Sequence, residues 1–361
     1  MNGKGTVIAI QSGIPVLLWG GPGIGKTSFV QELGRLSKRN VQTVIASIRE
    51  PSDFAGLPVI TQQDSVKMAP PQWAISLVES NGGILFLDEL TTAPPAVQAA
   101  LLRVVLERQV GELKLPEDTW IIAAANPVET SSGTWLLSAA LSNRMLHITW
   151  NLSQQKWIAG MIDGFNMERE MVLLPEDWRD GVREARNMVA SFIQHKPTLL
   201  YNPPEDAETS GRAWPSPRSW DMAATALAAA SSVGLSKDDE HTLMEAAVGQ
   251  GAAIEFLTWV RSLDLVHPKE ALANPDKVAL PKRGDQIFAM MTSIVSYAKE
   301  NMNLQIWLAS WTIMGRAAEA GYADLAALPA RMLAEARTKD LPIPTSVKHF
   351  AKVLDAAGLL K

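Results

Sequence analysis

Residues 20–27 read GGPGIGKT, with Gly20, Gly25, Lys26 and Thr27 on the spacing G-x-x-x-x-G-K-[ST] and the apolar run 16–19 directly ahead. Glycine reaches positive φ and lets an anion approach the backbone, so successive amides can face phosphate oxygens at the start of the following helix. On that reading Gly21, Pro22, Gly23, Ile24 and Gly25 form the wrap around the phosphates of ATP. Lys26 reaches the β- and γ-phosphates, Thr27 offers its hydroxyl to Mg²⁺, and Ser28 stands beside it as a second donor.

A second apolar run, 84–87, ends abruptly in Asp88 and Glu89. Charged residues there belong at the carboxyl end of a buried strand, where open α/β sheets bind ligands. Asp88 is suited to hold Mg²⁺ through its water shell, and Glu89 to polarise an attacking water. Asp88 lies too far upstream of Pro94 and Pro95 to cap the helix expected over 96–107. A third run, 121–125, ends in Asn126 before Pro127; its amide could orient water near the γ-phosphate, although Asn-Pro also starts ordinary turns.

Two arginines stand apart from the loop. Arg144, in Ser142-Asn143-Arg144 before the run 146–150, is either a surface ion-pair partner or a cation that enters a neighbouring subunit's site. Arg218 follows Ser216 and Pro217, a helix start signal. The helix dipole disfavours a cation in that first turn unless an anion such as a terminal phosphate lies near, or Asp221 pairs with it.

These residues need a scaffold. Short β-like runs at 16–19, 41–48, 84–87, 121–125 and 146–150 alternate with helical patterns, which predicts an α/β fold with a parallel five-stranded sheet. From about residue 153 the apolar spacing is helical, over 176–194, 217–233, 238–264, 284–299, 303–320 and 323–337. A Pro-, Gly- and acid-rich stretch at 196–216 reads as a long surface loop, and a break with three prolines falls at 267–282. The expected division is 1–150 for the α/β core, 151–270 for a helical part and 271–361 for a C-terminal helical region.

At 361 residues the chain has room for two or three domains. A net charge of −5 supplies no global positive field, so nucleic acid is a disfavoured partner. With no cysteine there is no disulfide, thiolate metal site or cysteine nucleophile. The five histidines, at 147, 195, 241, 267 and 349, show no ligand spacing and read as isolated residues. The 12 tryptophans include Trp307 and Trp311, which share a helix face with Met314 and suggest packing. No apolar run reaches spanning length and no secretory signal opens the chain, which points to no membrane and to the cytoplasm.

The ordered set GGPGIGKT, ILFLDE, AAANP, LSNR and SPRS resembles the AAA+ ATPases, specifically their MoxR-like, helix-2-insert branch, over about residues 14–235. The resemblance implies a P-loop AAA+ core followed by an α-helical lid and a C-terminal α-helical extension, assembled as a homo-oligomeric ring, usually a hexamer. It implies that Lys26 is the Walker A lysine, Asp88 and Glu89 the Walker B pair, and Asn126 sensor 1. Arg144 becomes the finger acting on the adjacent subunit and Arg218 sensor 2. Residues 50–69, a broken helix then a hairpin, look like the helix-2 insertion, with Pro70, Pro71 and a helix from Trp73 after them; residues 110–115 look like the hairpin before sensor 1. Both would line a pore. The branch is similar in usually working with a von Willebrand factor A domain partner to remodel or activate a protein target. Two other functions fit the same loop: a nucleotide-gated scaffold with incidental hydrolysis, and a nucleic-acid motor, which the acidic charge argues against.

Overall fold

The computed structural model describes residues 3–60, 65–127, 133, 135–165 and 167–359. The chain forms two compact units, Met1–Val182 with Leu199–Ile254, and Arg183–Thr198 with Glu255–Lys361.

The first unit is built on a sheet of five parallel strands, β1 (Val16–Trp19), β2 (Val41–Ile45), β5 (Gly83–Asp88), β8 (Thr119–Ala125) and β9 (Leu146–Thr149). Their order across the sheet is β2-β5-β8-β1-β9, so the strand that leads into the glycine loop is central. Pairing of Trp19 with Ala125 and of Ile45 with Asp88 brings the carboxyl ends level along one edge. Strands covered on both faces must be apolar throughout, and β1 and β8 are buried at every residue. Each fully buried aliphatic side chain contributes about 1.5–3 kcal/mol, so Leu17, Leu85, Leu87 and Ile121 fix the sheet's position against its helices.

The expected five-strand α/β core is therefore the observed one, with changes at strand ends. β2 stops at Ile45 because Ala46–Ile48 curl into a single 3-10 turn. β9 stops at Thr149, short of Trp150. A helix over Gly3–Gln11, not anticipated, is buried at seven of its nine positions, so it lacks the polar face that makes helical periodicity visible.

Two hairpins stand off the sheet. β3 (Leu57–Ile60) pairs with β4 (Val66–Ala69), and four of the five residues between them, 61–64, lie outside the described part. A helix over Ser52–Ala55 precedes this hairpin and one over Gln72–Glu79 follows it. β6 (Gln109–Val110) pairs with β7 (Leu113–Lys114) around Gly111, whose φ of 58° and near contact with the Ala55 carbonyl leave no space for a side chain. The two hairpins thus abut.

The rest of the first unit is helical. The helix Pro217–Ser232 opens with a capping box, the Ser216 hydroxyl accepting from the Ser219 amide while the Ser219 hydroxyl accepts from the Ser216 amide. The single helical stretch expected over 238–264 is two helices, Lys237–Val248 in this unit and Gln250–Arg261, most of whose residues belong to the second, because Gly249 takes φ 79° between them. The 196–216 segment holds a short helix, Ala207–Ser210, capped by Asp206.

In the second unit the helices Gly284–Glu300, Leu304–Ala317 and Ala323–Glu335 surround a core of Met290, Met291, Trp311, Met314 and Phe350. Trp307 and Trp311 are each 1% exposed, in edge-to-face contact with ring centroids 5.6 Å apart, which settles them as packing residues.

Candidate functional site: a phosphate loop on the sheet edge

The chain leaves β1 at Trp19, and the Gly20 amide still donates to the Ala125 carbonyl at 3.1 Å, so the loop starts from a fixed point beside β8. Gly20 has no space for a side chain: a Cβ would meet Ile24 Cδ1 at 2.6 Å and the Trp150 carbonyl at 2.7 Å. Gly23 and Gly25 adopt φ of 74° and 90°, the left-handed turn that only glycine enters freely. A Cβ on Gly21, Gly23 or Gly25 would meet nothing within 4 Å, so this face of the loop is open.

The helix Lys26–Ser37 begins there, and its first bond runs from the Phe29 amide to the Gly25 carbonyl at 2.9 Å. Amides ahead of Phe29 consequently have no intrahelical acceptor and point outward at the positive end of the helix dipole. Trp150 braces the loop: its indole donates to the Ile24 carbonyl at 3.2 Å, and its ring lies 4.5 Å from that of Phe29.

Lys26 is 8% exposed, and its Nζ donates to the Gly20 carbonyl at 2.5 Å, the Gly21 carbonyl at 2.9 Å and Asn126 Oδ1 at 2.9 Å. Burial lowers its pKa and the nearby Asp88 carboxylate works against that shift. The Thr27 hydroxyl donates to Asp88 Oδ2 at 3.1 Å. Lys26 with Asn126 and Thr27 with Asp88, read separately from the sequence, are thus two hydrogen-bonded pairs set side by side on consecutive residues of the loop's end.

Glu89 takes a left-handed backbone, φ 57° and ψ 40°, uncommon for a residue with a side chain. That turn directs its carboxylate to Ser47, whose hydroxyl donates to Oε2 at 2.5 Å. Thr91 holds the neighbouring strand end, donating from Oγ1 to the Asn126 carbonyl at 3.2 Å and accepting from the Asn126 amide at 3.3 Å. Neither Ser47 nor Thr91 was singled out by sequence; the signal for Ser47 is its place just after the strand adjacent to the acid pair.

Arg144 and Arg218 lie outside these hydrogen bonds, in a second grouping within the same unit. Arg144 donates through Nη1 to the Ala140 carbonyl, and its Nε is buried without an acceptor. Its pKa is lowered, first by burial and then by the Arg218 charge. Arg218 is exposed in the first turn of its helix.

His147, expected to stand alone, is wired into this region. Its Nδ1 accepts from the Trp19 indole at 2.9 Å, its Nε2 lies 3.0 Å from the Ser142 carbonyl, and Arg212 stacks 3.7 Å over Trp19. Burial pushes its pKa down to about 4, the Ser142 carbonyl opposing and the Arg212 charge assisting.

A triphosphate fits what is present: open glycine faces and unpaired amides suit phosphate oxygens, and Thr27 with Asp88 supplies the hard oxygen donors Mg²⁺ prefers. A phosphate loop on the central strand, an acid pair two strands away and an amide on the strand between them define the P-loop nucleotide-binding class.

Residues 15–147 match the family model of ATPases associated with various cellular activities, so this stretch is an AAA ATPase domain, as the sequence resemblance implied. The pathogenicity locus probable regulatory protein HrpR of Pseudomonas syringae pv. syringae is 31% identical over 132 residues, 30% of this chain and 42% of that one. The chain thus spans under half the length of that relative. The Psp operon transcriptional activator of Escherichia coli is 27% identical over 237 residues, 54% of this chain and 72% of that one. A crystal structure of a proposed ATPase from Cytophaga hutchinsonii superposes with a TM-score of 0.48 at 19% identity, covering 72% of this chain and 88% of the other. Among the described residues no helix is long and apolar enough to cross a membrane.

Proposed function

We propose that this protein is a magnesium-dependent, ring-forming AAA+ ATPase of the MoxR type that remodels or activates a protein target with a von Willebrand factor A domain partner. The observation that carries the ATPase part is the 2.9 Å bond from Lys26 Nζ to Asn126 Oδ1, because it joins the phosphate loop to a strand end a hundred residues away. Gly21, Pro22, Gly23, Ile24, Gly25, Lys26, Thr27 and Ser28 hold the triphosphate of ATP. Thr27 and Asp88 would hold Mg²⁺, which when bound neutralises charge on the phosphate oxygens. Glu89 accepts a proton from the attacking water, Asn126 orients that water, and Lys26 stabilises charge on the outer phosphates. Arg144 completes the site of the adjacent subunit and Arg218 contributes from the helical lid. The ring, usually hexameric, and the partner follow the branch the motifs resemble; the two abutting hairpins fit pore-facing elements.

The test is Glu89→Gln, which keeps the side chain's size and removes its basicity. Retained ATP binding with phosphate release at background supports the reading, and release at the wild-type rate overturns it. Light scattering with and without ATP, on wild type and on Arg144→Ala, tests the ring. A second reading, favoured by the 237-residue likeness to the E. coli transcriptional activator, makes transcription machinery the target. Phosphate release stimulated by RNA polymerase instead of a von Willebrand factor A domain protein would decide for it.

A further inference from the structure

The turn that carries Arg144 is bonded to the start of the helix that carries Arg218. The Ser216 hydroxyl, buried, donates to Asn143 Oδ1 at 2.7 Å, and Asn143 Nδ2 donates to the Trp214 carbonyl at 3.3 Å. One residue earlier, the Ser142 hydroxyl donates to the Arg212 carbonyl at 2.6 Å. Asn143 is 6% exposed, Ser142 0% and Ser216 4%, so these bonds are shielded from water and worth more than surface ones. Ser216 is at once the N-cap of the Arg218 helix and the partner of Asn143, which makes the helix start and the arginine turn one hydrogen-bonded block.

That block gathers like charges. Neither Arg144 nor Arg218 makes an ion pair among the described residues, and the Arg144 Nε is buried without an acceptor. Two guanidiniums within electrostatic reach of each other, one with an unused donor, repel unless an anion lies between or before them. A planar guanidinium is also demanding in orientation, so its backbone must be held still if it is to meet a phosphate.

We infer that Asn143 is a positioning residue: through Ser216 and the Trp214 carbonyl it locks Arg144 to the Arg218 helix, so that the two arginines are presented as one rigid pair to a single polyphosphate. This rests on the proposed ATPase reading, in which both arginines meet a nucleotide. It adds that they act jointly, and that the Asn143 amide is what makes them joint.

The experiment measures kcat, KM and fluorescent-ATP affinity on the full chain, with melting curves to confirm folding. Asn143→Ala is expected to lower kcat about ten- to a hundredfold, the cost of a small misplacement, while ATP affinity at the phosphate loop stays within about threefold. Adding Arg144→Ala to Asn143→Ala should then cost less than about threefold more, because Arg144 is already out of place. Ser216→Ala breaks the same lock from the other side and serves if Asn143→Ala fails to fold; Ser216→Thr keeps the hydroxyl and should restore turnover. Wild-type kcat in both Asn143→Ala and Ser216→Ala, with Arg144→Ala inactive, sinks the lock and leaves the ATPase reading standing. A full, additive Arg144→Ala loss on the Asn143→Ala background sinks it equally. Wild-type turnover in Arg144→Ala alone removes the catalytic role of that arginine, and the pairing falls with it.

Discussion

His147 should make the first unit acid-sensitive in a defined window. The indole N–H of Trp19 can only donate, so His147 Nδ1 must be unprotonated, and the ring hydrogen sits on Nε2 facing the Ser142 carbonyl. Protonating Nδ1 would set two donors against each other beside the Arg212 guanidinium. Burial first, and the Arg212 charge after it, lower the pKa from 6.5 to about 4 on folding, against the Ser142 carbonyl. Because the folded value lies below the unfolded one, the unfolded chain takes up the proton first as pH falls. The contribution is complete above about 6.5, declines between there and about 4, and levels off below. At roughly 1.36 kcal/mol per pH unit, that gap amounts to about 3 kcal/mol. The assay is urea unfolding of wild type and His147→Gln at several pH values from 7.5 down to 4. The variant carries a pH-independent penalty from altered hydrogen bonds but no titration. The stability difference between the two should shrink by about 3 kcal/mol across the window. Parallel curves, with a constant difference, would refute the argument that this imidazole is held neutral.

Lys26→Ala should weaken ATP binding by about a hundredfold or more, since it removes the buried ammonium and leaves the Gly20 and Gly21 carbonyls and Asn126 Oδ1 without their donor; isothermal calorimetry reads this directly. Ser47→Ala should leave ATP affinity in place but raise basal phosphate release about threefold to tenfold, because it frees the Glu89 carboxylate from a charge-assisted bond; unchanged turnover would show that the bond does not restrain it. Trp307→Ala should destabilise the second unit by about 3–5 kcal/mol in urea unfolding, given its 1% exposure and the lost bond to the Pro342 carbonyl.

The parts of the fold legible in the sequence are those written in local pattern. Four-residue apolar runs such as 16–19 announce buried parallel strands, and Ser216-Pro217 announces a helix start, because each rests on near neighbours. Ser47 reaching Glu89, and Thr91 clasping Asn126, depend on strand order and on a left-handed Glu89, neither of which has a local signature. The Gly3–Gln11 helix was hidden for a related reason: buried nearly all round, it shows no alternation to detect. His147 looked solitary because its partners sit 128 residues before it and on a turn five residues away. Gly249 was legible only as a glycine; its positive φ, which splits one helical stretch into two, belongs to the packed structure.

The strand order carries a consequence for how the chain comes to be made. β1 leaves the ribosome well before its neighbours: both strands that flank it, β8 and β9, are translated about a hundred residues or more later. Until then β2 and β5 can join each other, while β1 waits with two open edges and the glycine loop has no Asn126 or Trp150 to lean on. A nascent chain halted before residue 119 should therefore hold a half-sheet with an exposed hydrophobic strand, a natural client for a holding chaperone until synthesis passes residue 149.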